Sequence, residues 1–293
     1  MYLIIGANGF LGSYILKNIL EHTPDEIIAV ARNVENVIHN PRIKWRSCDI
    51  SNKKAVDALC EEINDLEKKV IFLAAYHNPD LVEKNPKFAW NINVTSLSYF
   101  VNRLSNVKCL FYPSTDSVYG NSVNEYCFKE EDQLNPVNTY GKQKCAAESV
   151  IRWYGYNVVR YPFLIAKSLS PEKKHFYDII VEHLQNNMPI DMFVDSLRSS
   201  LSFDTAAELL IRLMENYSEK IPKILNICGD DKLSKYDVGV KIANKLGYDR
   251  KFIIPVSTSS SAGIFEATRA QTTLMDNTKV KKILGLDNIK LVL

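Results

Sequence analysis

Short apolar runs alternate with amphipathic stretches through the first half of the chain. The first run, Tyr2-Leu3-Ile4-Ile5, precedes a helical pattern over 11–21 that ends before Thr23-Pro24. Further strands are predicted at 27–31, 44–48, 70–75, 109–112 and 157–160, with helices between them at 53–66, 86–104 and 139–154. This alternation predicts an α/β fold, a doubly wound parallel sheet with helices on both faces.

Three evenly spaced glycines, Gly6, Gly9 and Gly12, lie where the first strand gives way to the first helix. Gly6 lets the chain turn, Gly9 lets the backbone approach a pyrophosphate, and Gly12 lets the helix pack closely on the strand. The helix N-terminus favours phosphate charge. Such a triplet is also found in ordinary strand-to-helix turns, but its place in a βαβ unit predicts a dinucleotide-binding Rossmann domain.

The rhythm changes after about residue 163. Longer helices, predicted at 176–186, 205–217 and 235–246, are interleaved with isolated strands, and the serine-rich stretch 257–261 is expected to be a loop. We therefore expect a Rossmann NAD(P)-binding domain at 1–165. A smaller substrate-binding lobe is expected at 166–293, partly interleaved, with some of its segments returning to the first domain.

Composition excludes several classes of function. The net charge of +2 gives no field suited to nucleic acid, and no apolar run reaches the roughly 18 residues that span a bilayer. The six cysteines form no CxxC pair, and the five histidines show no metal-binding spacing. Because the chain begins directly with the strand–turn–helix pattern, we expect no leader. A cytoplasmic protein without metal, nucleic-acid or membrane partners is predicted.

Tyr140 and Lys144 lie four residues apart on a predicted helix and hence on one face. An ammonium within a few Å of a phenol favours the phenolate and brings its pKa from ~10 toward neutrality, which suits proton transfer. The lysine could also hold a cofactor ribose. Tyr-x-x-x-Lys pairs are also common on exposed helix surfaces, so the pair indicates a catalytic role only together with the other motifs of the chain.

A hydroxyl-rich segment, Ser114 to Gly120, follows the fifth strand at the carboxyl edge where doubly wound sheets bind ligands. A hydroxyl here could hydrogen-bond a substrate carbonyl, although the segment also fits an ordinary Ser/Thr turn. His77, which follows the fourth strand, is either a residue of the substrate pocket or a plain loop residue.

The chain resembles the extended short-chain dehydrogenase/reductase family through three motifs: Gly6-Ala7-Asn8-Gly9-Phe10-Leu11-Gly12, the Ser114 to Gly120 segment and Tyr140-x-x-x-Lys144. The resemblance runs essentially end to end. Within the family the chain is most similar to the dTDP-4-dehydrorhamnose reductase branch through two stretches. One is Ser114-Thr115-Asp116 with the following Val118-Tyr119, and the other is the C-terminal stretch that runs from Ala267-Thr268-Arg269 through Leu274 to Val280.

The resemblance implies that Thr115, Tyr140 and Lys144 form a catalytic triad. Its implied cofactor-binding residues lie in the glycine motif, at strand ends and on neighbouring helices: Gly6, Asn8, Gly9, Phe10, Leu11, Gly12, Asp49, Ile50, Leu73, Ala74, Ala75, Asn93, Tyr140, Lys144, Tyr161 and Phe163. Its implied substrate residues include Asp116, Ser117 and Arg269. A nucleotide sugar is the implied substrate, and a homodimer is compatible with the resemblance.

The phosphate groups of the cofactor and of the substrate call for cations, and two arginines are candidates to bind them. The second strand ends without an acidic residue for a ribose 2′-hydroxyl, and Arg32 there suits a 2′-phosphate, so NADPH is preferred and NAD stays possible. Arg198 is the candidate cation for the substrate diphosphate. Both arginines also fit ordinary surface positions.

Two departures bear on the reaction. Ser117 and Ala270 stand where the reductase branch usually carries an aromatic residue and a proline, and Asp116-Ser117 lacks the second carboxylate that dehydratases use. The expected activity is reduction of a nucleotide-linked 4-keto-6-deoxysugar. Two alternatives stay open: an epimerase with tightly bound NAD, and a non-catalytic regulatory subunit like the β-subunit of methionine adenosyltransferase.

Overall fold

The computed structural model describes residues 1–170, 173–258 and 265–293, so residues 259–261 of the serine-rich stretch lie outside the described part. The described strands are β1 (Tyr2–Ile5), β2 (Ile27–Ala31), β3 (Ile43–Ser47), β4 (Lys68–Phe72), β5 (Val107–Thr115), β6 (Cys127–Phe128), β7 (Asn157–Tyr161), β8 (Leu164–Ile165), β9 (Ile190–Phe193), β10 (Leu201–Ser202), β11 (Ile224–Asn226), β12 (Ile253–Val256) and β13 (Leu274–Met275).

The helices of the described residues alternate with these strands. They are α1 (Phe10–His22), α2 (Lys53–Ile63), α3 (Pro79–Lys84), α4 (Pro86–Trp90), α5 (Leu97–Arg103), α6 (Thr139–Trp153), α7 (Phe176–Gln185), α8 (Phe203–Glu215), α9 (Lys235–Leu246) and α10 (Thr278–Leu284). None of them is both long and apolar enough to cross a bilayer.

Seven strands form one parallel sheet in the order β11-β7-β5-β4-β1-β2-β3. The order reverses between β1 and β4, and ligands of doubly wound sheets bind at such a reversal, beyond the carboxyl ends of the strands. Helices α1 and α8 pack on one face of the sheet, and α2, α5 and α6 pack on the other. The predicted fold class is confirmed.

The second half of the chain contributes to two cores. Helices α7 and α9 pack with β9 and β12 around Ile180, Val238 and Ile253. Strand β11, by contrast, pairs with β7 at the edge of the large sheet, and α8 covers that sheet. The chain therefore crosses between the two cores several times, and the domain boundary at residue 165 stays a prediction.

The predicted helix over 86–104 is wrong in detail. The structure divides this region into α4, a π-helical turn at Asn91–Ser96 and α5, and it adds α3 before them. Asn78 caps α3 by accepting hydrogen bonds from two backbone N–H groups, and Pro79 follows at its first position. Asn85 leaves helical geometry at φ −131° and ψ 59° before Pro86, which separates α3 from α4.

Candidate active site

A cavity of about 720 Å³ lies at the carboxyl edge of the large sheet. Its floor comes from the ends of β1, β4 and β5, and residues of the C-terminal half, among them Phe193 and Lys235, close it from the other side. A cavity of this size and position is typical of a small-molecule site.

The glycine turn forms one end of the cavity, with Phe10 and Leu11 beside it. Gly6 has φ +87°, and a Cβ at this position would lie 2.8 Å from the backbone nitrogen of Ala74. A Cβ on Gly12 would lie 2.5 Å from the carbonyl oxygen of Ala7. Because only glycine fits this turn, backbone N–H groups at the start of α1 are accessible to a pyrophosphate, and the turn fits a dinucleotide.

Thr115, Tyr140 and Lys144 all line the same cavity. Thr115 is the last residue of β5, while the other two lie one turn apart on α6. Asn138 fixes the start of α6, because its side chain accepts a hydrogen bond from the Gly141 backbone N–H at 2.9 Å. The structure thus brings the predicted triad together at the edge of the sheet.

The predicted electrostatics of Tyr140 are wrong. We expected the Lys144 ammonium to lower the pKa of Tyr140, but burial raises that pKa, and the negative charge of Asp116 raises it further. The Lys144 amine instead donates to the Tyr112 hydroxyl at 2.6 Å and to the Pro113 carbonyl at 2.8 Å. At neutral pH Tyr140 is therefore a protonated phenol, which is the form that gives up a proton.

Burial has the opposite effect on the lysine. It lowers the pKa of Lys144 to about 7, and the nearby Glu148 carboxylate opposes this only in part. An amine that titrates near neutrality is typical of functional sites, because a buried ammonium costs free energy that packing does not require.

The buried Asp116 carboxylate and the partly buried Arg198 form an ion pair beside Thr115. The Arg198 Nε atom lies 3.3 Å from Oδ2 of Asp116, and the Thr115 hydroxyl donates to Asp116 Oδ1 at 3.1 Å. Burial raises the pKa of Asp116, while the charge of Arg198 lowers it. The other Arg198 nitrogens donate to the carbonyls of Leu197, Ala270 and Gln271. Every nitrogen of this guanidinium is thus engaged by the protein.

The other predicted substrate residues also line the cavity. The hydroxyl oxygen of Ser117 lies 3.2 Å from the hydroxyl oxygen of Thr115. Arg269 pairs with Asp80 at 2.6 Å, and its Nη1 atom is buried without a hydrogen bond among the described residues. His77 is an exposed residue of the cavity lining, and partial desolvation by its surroundings lowers the pKa of its imidazole, which is therefore neutral at pH 7.

The predicted cofactor residues separate into three groups. Leu73, Ala75, Tyr161 and Phe163 line the main cavity. Asn8 and Arg32 line a second cavity of about 440 Å³ beside the glycine turn, together with Lys173. Four others line neither cavity: Asp49, Ile50, Ala74 and Asn93.

Asn93 has a clear structural role behind the cavity wall. Its side-chain oxygen accepts from the Tyr76 N–H at 2.7 Å, and its amide nitrogen donates to the Tyr76 carbonyl and to Gln143. The residue lies on the π-helical turn and so ties the loop after β4 to helix α6. It positions the chain next to His77 rather than contacting the cavity.

The family model of the RmlD substrate binding domain matches residues 1–290. The chain belongs to this family. The resemblance predicted from the sequence is confirmed. The family consists of proteins with the short-chain dehydrogenase/reductase fold, which supports an oxidoreductase in general terms. Among the described residues no group of three or more His, Cys, Asp or Glu side chains could hold a metal ion.

Individual relatives of this RmlD-family chain are distant. A dTDP-4-dehydrorhamnose reductase from Bacillus anthracis in complex with NADP has a TM-score of 0.79 at 20% identity, over 99% of this chain and 94% of that chain, which shows the fold. Methionine adenosyltransferase 2 subunit beta of Danio rerio is 24% identical over 97% of this chain and 84% of its own length. The dTDP-D-glucose 4,6-dehydratase of Mus musculus is 27% identical, but the match spans 60% of this chain and 51% of the dehydratase.

Sequence reasoning missed the buried ion pair that holds α6 in this RmlD-family protein. Glu148 accepts from Arg160 on β7 at 2.6 Å and from the Ser114 hydroxyl at 2.5 Å. Tyr140, Lys144 and Glu148 are spaced by four residues, and this spacing was the signal in the sequence. One helix face therefore carries both the predicted catalytic pair and the residue that anchors the helix.

We expect Glu148→Gln to lower the free energy of unfolding by about 3–5 kcal/mol, because the substitution leaves the buried Arg160 guanidinium without its countercharge. Urea unfolding followed by circular dichroism measures this. Glu182→Gln is the matched control, since the Lys174–Glu182 pair is exposed and its loss should cost less than about 1 kcal/mol. Equal effects of the two substitutions would contradict the anchoring role.

Proposed function

We propose that this protein is an NADPH-dependent reductase of a nucleotide-linked 4-keto-6-deoxysugar. The observation that carries the proposal is that one cavity is lined both by a glycine turn suited to a dinucleotide and by Thr115, Tyr140 and Lys144. The name of the Bacillus anthracis relative supports the same substrate class. A bound nicotinamide would supply the hydride for reduction of the keto carbon.

The chain's own residues account for the proton and the orientation. Tyr140 stays protonated at neutral pH and donates its proton to the developing alkoxide oxygen. Thr115 would turn its hydroxyl proton from Asp116 Oδ1 to the same oxygen, and its position is fixed because its hydroxyl oxygen accepts from the Ser117 N–H at 3.2 Å. The Lys144 amine, held between Tyr112 and Pro113, is placed to hold the cofactor ribose.

A reductase is favoured over a dehydratase by the residue after Asp116. Elimination of water needs an acid and a base, and dehydratases of this type are expected to supply two adjacent carboxylates. Here Ser117 offers a hydroxyl that is hydrogen-bonded to the Thr115 side chain, 3.2 Å away. The segment thus provides groups that bind a carbonyl and its charge, but one carboxylate only.

The second cavity supports the preference for NADPH. Arg32 lies at the end of β2, and its guanidinium makes no hydrogen bond or ion pair within the described part of the chain. Lys173 adds a second positive charge to the same cavity, and its amine donates to the Asn8 carbonyl at 2.7 Å. Two cations beside the glycine turn suit a ribose 2′-phosphate.

A regulatory subunit is the second candidate, and one observation favours it. The methionine adenosyltransferase subunit aligns over nearly the whole of this chain, whereas the dehydratase aligns over about half of its own length. Such a subunit would bind a partner protein and would need no turnover. The two functions therefore differ in whether NADPH is consumed.

The activity is tested by following NADPH absorbance with dTDP-, UDP-, GDP- and CDP-4-keto-6-deoxysugars. We expect one of them to be reduced. Tyr140→Phe should then lower kcat at least ~100-fold and leave the Kd for NADPH within twofold, since the phenol supplies a proton and little binding. Tyr154→Phe, near the far end of α6, is the control that should keep full activity.

Silence across the panel, with NADPH bound, would overturn the reductase. A stoichiometric complex with a methionine adenosyltransferase catalytic subunit would then establish the regulatory function. Tightly bound NAD that copurifies, without net NADPH consumption, would indicate an epimerase instead.

Arg32→Met should raise the Kd for NADPH at least ~10-fold and leave the Kd for NADH nearly unchanged, because only NADPH carries the 2′-phosphate. Isothermal titration with both cofactors measures the ratio. Arg152→Met, an exposed arginine on α6, is the control for loss of one positive charge. A parallel loss of both affinities, or of neither, would contradict the assignment of Arg32.

A further inference from the structure

Lys235 lines the main cavity and carries a positive charge, but the sequence analysis assigned it no role. Its amine lies 5.8, 5.3 and 5.7 Å from the ring centroids of Phe163, Phe176 and Phe193. These three rings form an aromatic collar around the amine. Within the described residues no carboxylate pairs with Lys235, although its side chain lines the cavity.

The surroundings of Lys235 make this charge costly without a ligand. Burial and the positive charges of Arg198 and Arg269 together lower the pKa of Lys235 to about 8. Lys235 is also the first residue of α9, where the helix dipole disfavours a cation. The nearest acid on that helix, Asp237, is committed to the cap and accepts from the Ser234 N–H and hydroxyl.

The two arginines nearby are in a different situation. Arg198 forms an ion pair with Asp116, and its hydrogen bonds go to backbone carbonyls. Arg269 pairs with Asp80, with only its Nη1 atom left unpartnered. Each arginine thus has a countercharge in the fold, and Lys235 has none among the described residues.

We propose that Lys235, rather than Arg198, binds the diphosphate of the nucleotide-linked substrate, and that Arg198 is a positioning residue for Asp116 and residues 270–271. This inference rests on the proposed function and identifies the residue that recognises the charged part of the substrate. The collar rings lie beside the partly buried amine, and an ammonium interacts more strongly with an anion where less water surrounds it.

The order of the side chains along the cavity supports this assignment. Asp116 is close enough to Tyr140 to raise its pKa, Arg198 pairs with Asp116, and Lys235 lies close to Arg198. Lys235 and Tyr140 both line this cavity, so one substrate can contact both side chains.

The test compares ligands that differ only in charge. Isothermal titration with dTDP and thymidine, and with UDP and uridine, is carried out on the whole protein and on Lys235→Met. In Lys235→Met we expect the Kd for the nucleoside diphosphate, dTDP or UDP, to be at least ~10-fold higher than in the unaltered protein. The Kd for the nucleoside and the Kd for NADPH should stay within twofold. Lys235→Arg should recover part of the lost affinity, and Lys174→Met, an exposed lysine, should change nothing.

Arg198→Met separates the two roles. If Arg198 is a positioning residue, its loss should raise the Kd for dTDP and the Kd for thymidine by the same factor. The substitution then moves the cavity wall, which both ligands contact, and removes no contact that is specific to the phosphates. Unchanged diphosphate affinity in Lys235→Met, or a diphosphate-selective loss in Arg198→Met, would overturn the proposal. Absence of diphosphate binding to the unaltered protein would overturn it as well.

The outcome is independent of turnover. Lys235-dependent binding of a diphosphate with no NADPH oxidation would refute the reductase and leave the binding site standing. NADPH oxidation with the same KM in Lys235→Met would refute the binding site and leave the reductase standing.

Discussion

The buried ion pair between Glu148 and Arg160 fixes the geometry on which the site depends. Arg160 is 1% exposed, and it contacts α6 through Glu148 and the segment after β5 through the Tyr119 hydroxyl at 2.7 Å. Tyr119 in turn donates to Asn226 on β11. A single guanidinium thus connects the helix of Tyr140 and Lys144 to the strand end of Thr115 and to the edge of the sheet.

Such a pair contributes to geometry more than to net stability. The attraction between two buried charges offsets their desolvation only when the geometry of the pair is good. The pair therefore restricts the rotation of α6 about its own axis. Because Glu148 lies two turns from Tyr140 on the same face, the rotation that satisfies Arg160 also turns Tyr140 and Lys144 toward the cavity. The hydrophobic contacts of α6, such as Ala147 and Ile151 against the sheet, would tolerate more variation.

The elements that depend on local sequence could be predicted, and the contacts between distant segments could not. Strand β2 and helix α9 were predicted at their observed bounds, and the glycine turn and the Tyr140–Lys144 pair were identified from their spacing. Thr115 was singled out only by the resemblance to the extended short-chain dehydrogenase/reductase family. The partner of Lys144 was missed because Tyr112 lies on another element, 32 residues away. The contacts of Arg198 reach residues more than 70 positions away, and no periodicity in the sequence encodes them.

The aromatic collar shows the same limit. Phe163, Phe176 and Phe193 lie in three separate segments, so only the folded chain shows that their rings surround one amine. In the sequence, Lys235 is an ordinary lysine at the start of a helix, where solvent exposure is the default expectation. The prediction from sequence therefore chose Arg198, which stands closer to a recognisable strand end.

Buried charge also bears on the choice between enzyme and regulatory subunit. Lys144 is 3% exposed, and burial brings its pKa down to about 7, so the folded chain holds an amine whose charged form it disfavours. A subunit that only binds a partner protein gains nothing from this cost, since an apolar residue would fill the same space on α6 without it. An enzyme that binds a cofactor ribose beside a protonated phenol does use this amine, because a buried amine next to Tyr140 interacts only with a ligand in the cavity. The free-energy cost of burying Lys144 therefore favours an enzyme over a regulatory subunit.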